Sequence, residues 1–272
     1  MSSSHPSNLM FLQHIPNKDE LSKDLTYCHI CLEKTKLTRE HIPPKKAFNQ
    51  HNKLWESLTH DTNRMRTVLI KGGFWCKTIC KKCNNEIGSK YANEYIKFVK
   101  QLVSKPTIYR STGDGFLLSV DADTLFIAKE IAMMILAYES VDFAKHNYEL
   151  RKFVLDKNYT IKSPYRILSF LVPDNPNSGT MVKFHSRVDS FAPGFGFAGG
   201  EISSYPFGFV YASEIGKGYV YEKMTDISHW FSESDYSVRT RRQLTFYRRL
   251  TGVESMHVLL SGRRIKPQIG YS

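Results

Sequence analysis

The stretch ICKKCNNEIGSKY, residues 79–91, sets two cysteines three positions apart, Cys80 and Cys83, and runs straight into a polar, asparagine-rich segment. A Cys-x2-Cys pair folds the backbone into a tight knuckle that offers two thiolates to one ion. A second pair with the same spacing, Cys28 and Cys31, stands in YCHIC at 27–31. Two knuckles brought together supply four thiolates tetrahedrally around Zn²⁺, a structural cofactor. A redox Cys-x-x-Cys normally stands alone beside a βαβ pattern, and no such pattern occurs here. The remaining cysteine, Cys76, reads as a small buried hydrophobe rather than a ligand.

The N-terminal stretch MSSSHPSNLMFLQHIPNKDE lacks a basic region followed by an apolar one, so no secretory signal is read and a cytoplasmic location is expected. Clustered cysteines in that setting favour metal over disulfides. The longest apolar run, IAMMILAY at 131–138, is too short to span a bilayer.

Working outward, NNEIGSKYANEYIKFVKQLVS places Ile87, Tyr91, Tyr95, Phe98, Val99, Leu102 and Val103 at three- and four-residue steps, which predicts an amphipathic helix ended by Pro106. DADTLFIAKEIAMMILAYESVDFAKH predicts a second, mostly buried helix with Asp123 or Thr124 as its N-cap. YRILSFLVP, MVKFHSRV, PFGFVYAS and KGYVYEKM then read as strands, separated by turn-rich PDNPNSG, PGFGFAGG and EIGKG. PGFGFAGG lacks the Gly-Lys-Ser/Thr ending of a phosphate loop and reads as a turn. The fold class is therefore α+β: a loose arm over 1–24, a zinc-stabilised module over 25–105, and a mixed α+β C-terminal domain of unknown topology over 106–272.

Charge follows that division. The net charge is +12, and hydrophobic and charged residues make up 41% and 24% of the chain. Residues 1–105 carry 18 Lys+Arg against 9 Asp+Glu, residues 106–238 carry 12 against 16, and residues 239–272 carry 8 against 1. Basic flanks around an acidic middle suit a polyanionic partner such as nucleic acid.

Between the two knuckles lies LTREHIPPKK, residues 37–46, and Asn84 directly follows Cys83. Taken together, CHIC…LTREHIPPKK…ICKKCNNEIG resembles the HNH nucleases, the ββα-metal family, in their four-cysteine zinc form. The resemblance covers about residues 27–104. It implies an acid-His string on a β-hairpin, His41 as the general base that activates water, and Glu40 and Asn84 as ligands of a catalytic Mg²⁺ or Mn²⁺, with Asn85 an alternative to Asn84. It also implies a structural zinc on Cys28, Cys31, Cys80 and Cys83, and phosphate contacts from Lys45, Lys46, Lys81 and Lys82. The chemistry fits these residue types. Phosphodiester hydrolysis needs a base that titrates near neutrality and a hard cation on oxygen ligands. On an extended strand Glu40 and His41 point to opposite faces, so their convergence calls for a bent hairpin or a metal at its edge.

The pattern departs from the family twice. Trp75 stands where many members carry an asparagine that braces the metal loop, and Glu40 stands where Asp is usual. Two functions follow: a metal-dependent endonuclease on nucleic acid, DNA before RNA, or a catalytically inactive zinc-stabilised nucleic-acid-binding protein. Such modules often serve restriction, phage defence or mobile elements, and cutting both strands is easier for a homodimer. Near the C-terminus, SVRTRRQLTFYRRLTG interleaves aromatics with Arg241, Arg242, Arg248 and Arg249, a nucleic-acid-binding pattern in which the two pairs, seven apart, could share one helical face. The same segment also reads as a solvated basic face over an aromatic core.

Overall fold

The computed structural model describes residues 26–59, 64–104, 111–112, 115–172, 180–189, 196–215, 224–233 and 240–247. The first knuckle hangs between two short strands, β1 (Thr26–Tyr27) and β2 (Lys34–Thr35), paired antiparallel. Leu32 closes the turn in the left-handed region at φ 60°, with its N–H donating to the Cys28 carbonyl at 2.8 Å. Strand β3 (Leu37–His41) pairs antiparallel with β6 (Trp75–Cys80), setting Leu37 opposite Cys80 and His41 opposite Trp75. The register shifts between Thr38 and Glu40. Arg39 there faces two residues, Lys77 and Thr78, so this bulge bends the hairpin at the acid-His pair.

The second knuckle begins a helical run. A single turn, α1 (Lys81–Cys83), passes through a π-helical segment at Asn84–Gly88 into α2 (Ser89–Ser104). The three- and four-residue spacing takes effect from Tyr91 onward: Tyr91, Tyr95, Phe98 and Val99 are buried, while Val103 faces solvent. Pro106 lies outside the described residues.

Strands β4 (Lys53–Thr59) and β5 (Arg64–Ile70) form a hairpin between β3 and β6. They do not pair with either. Instead β4 runs parallel to β10 (Thr180–Asp189), which continues antiparallel through β11 (Gly196–Ser204), β12 (Phe207–Ile215), β9 (Arg166–Leu171) and β13 (Thr225–Asp226). The seven-stranded sheet therefore takes strands from both sides of residue 105. A three-stranded sheet joins β7 (Ser111–Thr112), β8 (Gly115–Ala122) and β14 (Thr240–Tyr247). The architecture is mixed α+β, as the composition of the segments predicts.

Two expectations need correction. Residues 196–200 of PGFGFAGG are strand, not turn, and the reason is close approach: a Cβ on Gly199 would lie 1.8 Å from the Tyr211 carbonyl oxygen. Residues 240–247 are also strand, so Arg241 and Arg242 occupy opposite faces rather than one helical stripe. Of the strands read from sequence, KGYVYEKM lies outside the described residues up to Met224.

Helix α3 (Thr124–Tyr138) is the core of the molecule. Asp123 caps it, accepting from the Phe126 N–H at 3.0 Å. Every residue of α3 except Phe126 is buried, which accounts for its lack of a polar face. The single helix expected over 121–146 breaks at Glu139. Ser140 then caps α4 (Val141–His146) by accepting from the Phe143 N–H at 3.1 Å, and α5 (Tyr148–Leu155) follows. Phe98 of α2 packs edge-on against Phe207 at 5.2 Å and Trp230 at 5.8 Å, tying helix to sheet. Two charged residues lie inside α3. The Lys129 ammonium donates to the carbonyls of Phe153, Asp156 and Tyr159 at and just beyond the end of α5, while neither carboxyl oxygen of Glu130 has a hydrogen-bond partner among the described residues. Among the described residues no helix is long and apolar enough to cross a membrane.

Candidate metal centre and the adjoining hairpin

Folding of β3 against β6 brings the two knuckles together. The sulfurs of Cys28, Cys31, Cys80 and Cys83 all lie within 4.8 Å of one another, with Cys31 and Cys80 at 3.9 Å. Zn–S bonds of about 2.3 Å in a tetrahedron separate sulfurs by about 3.8 Å. The cluster therefore has the size and the soft donor set to hold a metal ion such as zinc. Cys76 is not part of it and packs against the core.

Backbone amides prepare the thiolates. Cys28 Sγ accepts from the N–H groups of Ile30 at 3.5 Å and Cys80 at 3.4 Å, and Cys80 Sγ accepts from the Cys83 N–H at 3.4 Å. A hydrogen bond from Cys83 draws the Cys28 thiol down to about 4. The same bond drives Cys83 far up, and burial pushes Cys31 up to about 11. One thiolate thus forms readily, and Cys31 and Cys83 await a cation to offset their charge. The buried His29 fixes the first knuckle to the core, its Nδ1 2.9 Å from the Leu136 carbonyl of α3. Thr78 does the same for β6, donating to the Ala137 carbonyl at 2.6 Å.

Asn84, next after Cys83, turns its amide nitrogen onto β3, to Thr38 Oγ1 at 3.2 Å and the Arg39 carbonyl at 3.4 Å. Its amide also favours the charged form of the Glu40 carboxyl. The amide oxygen takes no part in these bonds. Burial raises the Glu40 carboxyl to about 7, with the Asn84 bond opposing the rise. His41 is half-buried. Desolvation first, then the charges of Lys45 and Arg39, hold its imidazole below the ordinary histidine value, against a hydrogen bond to the Gly72 carbonyl. Neutral imidazole, the form that accepts a proton, is thereby favoured. Trp75 lies directly across from His41 and carries the Arg39 guanidinium over its ring, 4.5 Å from the centroid.

The fully buried Asn49 organises the turn around the acid-His pair. Its amide nitrogen donates to the Pro43 carbonyl at 2.7 Å and the Phe74 carbonyl at 2.8 Å, while its oxygen accepts from the Phe74 N–H at 2.9 Å. Gly73, at φ +91°, lies so close that a Cβ would come within 1.9 Å of the Asn49 carbonyl oxygen. Asn49→Ala removes three buried hydrogen bonds, to the Pro43 carbonyl and to the Phe74 carbonyl and N–H, and is expected to cost about 2–4 kcal/mol of stability. Urea unfolding measures this, and a loss below about 0.5 kcal/mol, the range of an ordinary surface change, would discard the brace.

The basic residues divide. Lys45 and Lys46 are exposed beside the turn. Lys81 and Lys82 are exposed and line, with Lys36, Leu37 and Thr38, an open cleft of about 430 Å³ against the metal cluster. Arg241 is exposed and bonds to Ser119 Oγ at 2.9 Å. Arg242 is committed within the fold, to Glu233 at 2.8 Å and to Thr124 Oγ1 at 3.3 Å. Arg248 and Arg249 lie outside the described residues. Sequence reasoning missed Asn49 and Gly72, whose roles come from partners distant in the chain. Compared with protein-family models, curated proteins and solved structures, the chain gives no match.

Proposed function

We propose that the chain is a metal-dependent endonuclease of the HNH type, hydrolysing phosphodiester bonds in nucleic acid, DNA foremost. One observation supports this reading most: Asn84, at the start of the helical run after the cysteine cluster, bonds to Thr38 and Arg39 of β3, the strand that ends in Glu40 and His41, across residues far apart in sequence. The donor set supports it too, since a carboxylate and an amide oxygen are hard ligands. Asn49 supplies the bracing that the resemblance assigns to an asparagine at the place Trp75 occupies, which answers the first departure from the pattern.

In this reading Glu40 and Asn84 would hold Mg²⁺ or Mn²⁺, which would take up the charge developing on the phosphate and the leaving oxygen. His41, neutral and held through one ring nitrogen by the Gly72 carbonyl, takes a proton from water at the other. Lys45 and Lys46, with Lys81 and Lys82, hold the phosphates on either side.

Zinc-loaded protein with Mg²⁺ or Mn²⁺ is expected to nick supercoiled plasmid, with nicking lost when EDTA is present. Failure to cleave both DNA and RNA, with either ion, would replace the enzyme by a zinc-stabilised nucleic-acid-binding protein.

A further inference from the structure

The indole at the start of β6 is set away from the core. Trp75 is partly exposed, and among the described residues it is not one of those packed on the hydrophobic core, whereas its chain neighbours Phe74 and Cys76 are. Strand register fixes its place. Trp75 stands directly across from His41, and opposed residues of an antiparallel pair share a face with their Cβ atoms about 5 Å apart. Arg39 is exposed and lies two residues before His41 on β3. It lays its guanidinium on the indole, 4.5 Å from the ring centroid. Imidazole, indole and guanidinium are therefore neighbours on the hairpin, with the exposed Lys45 just beyond. The turn around the acid-His pair is braced by Asn49, so the indole is not needed for that purpose.

These groups suit a nucleotide. An indole offers a flat apolar face on which any base stacks, and a guanidinium stacked on a ring keeps its in-plane N–H donors for a phosphate. Inside a duplex both faces of a base are covered by its neighbours, so only an unpaired base reaches a protein ring. We propose that Trp75 and Arg39 form a stacking platform for an unpaired nucleobase beside the scissile phosphate, which makes single-stranded or locally opened nucleic acid the preferred substrate. This rests on the endonuclease reading of His41 and deepens it by naming the substrate class. The base lies on the indole, and Arg39 donates to the phosphate of the same nucleotide. The lysines grip the backbone whether or not it is paired, and the platform supplies the discrimination. Negative supercoiling favours local opening of a duplex, so nicking of supercoiled plasmid agrees with this preference.

The first test is binding by zinc-loaded full-length protein without Mg²⁺ or Mn²⁺, so that no strand is cut. The probes are a labelled DNA strand of about 12 nucleotides and the duplex of the same sequence. Wild type is expected to favour the single strand. Trp75→Leu keeps an apolar side chain and removes the ring. It should lower single-strand affinity about 5- to 100-fold, the usual worth of one stacked base, with duplex affinity unchanged, and Trp75→Phe should recover most of the loss. The second test needs no variant, should Trp75→Leu fail to fold. With Mg²⁺ or Mn²⁺, one stable abasic nucleotide in the strand should suppress wild-type cleavage at a fixed offset from itself. Wild-type single-strand affinity in folded Trp75→Leu, a wild-type preference for duplex, or cleavage that runs evenly past the abasic nucleotide would overturn the platform and leave metal-dependent nicking intact. A wild type that neither binds nor cuts nucleic acid would overturn both.

Discussion

His41→Ala is expected to lower the rate of plasmid cleavage about 10²- to 10⁴-fold, the usual contribution of a positioned general base. The effect should lie in kcat rather than KM. His41 holds no phosphate and no metal in the proposed arrangement, so Glu40, Asn84 and the lysines remain to bind substrate. Fold and zinc content should survive, because the imidazole is only half-buried and its interaction with the Gly72 carbonyl is not part of the β3–β6 ladder. The comparison is therefore clean: equal zinc per chain, nearly equal melting temperature, and cleavage reduced by two orders of magnitude or more. Residual activity within tenfold of wild type would assign proton abstraction to another group and remove LTREH from the centre of the mechanism.

How much of this was legible in advance depends on the range over which each signal acts. Each Cys-x2-Cys knuckle is a local device, so spacing alone points to a metal cluster. Asn84 follows Cys83 in the chain, so its place at the start of the helical run is local as well. The amphipathic rhythm from Tyr91 to Val99 reports which face of α2 meets the core. Pairing of β4 with β10 is another matter. Nothing in residues 53–59 specifies a partner more than a hundred positions away, and the hairpin of β4 and β5 reads as an ordinary insertion between the halves of the motif. The strand at Gly196–Gly200 was hidden for a related reason. Its glycines signal a turn in isolation, and only the Tyr211 carbonyl pressed against Gly199 explains why a strand needs them. The seven-residue spacing of the arginine pairs suggests one helical face, whereas residues 240–247 are strand, held by the pairing of β14 with β8 rather than by any local signal. Glu130 carries no sequence signal at all. A glutamate next to a lysine in an apolar helix looks like an ordinary pair, until packing separates them and leaves one satisfied and the other not.

The largest effect on stability is expected from the metal cluster. Its surroundings are thin: β1 and β2 are two residues each, and among the described residues β3 pairs only with β6. Such short pairings do not hold two knuckles together without a cross-link. A cation bound to the folded chain at a thousandfold over its Kd contributes about 4 kcal/mol. Cys28→Ser, which takes the most acidic thiol from the set, should therefore abolish stoichiometric zinc and lower the melting temperature by about 8–16 °C for a chain of this size. Chelation of wild-type zinc should do the same. Cys76→Ser is the control, since Cys76 lies outside the cluster and should keep its zinc. The loss should also reach beyond the knuckles. His29 bonds to Leu136 only while its turn is held, and Leu37 and Thr38 pair with Cys80 and Ile79, so release of the sulfurs frees the strand that carries Glu40 and His41. Cleavage and Mn²⁺ binding should consequently vanish together in Cys28→Ser, whereas His41→Ala removes cleavage and leaves Mn²⁺ bound. Wild-type protein purified without zinc, with a melting temperature indifferent to chelators, would sink the metal centre and with it the support for the hairpin site.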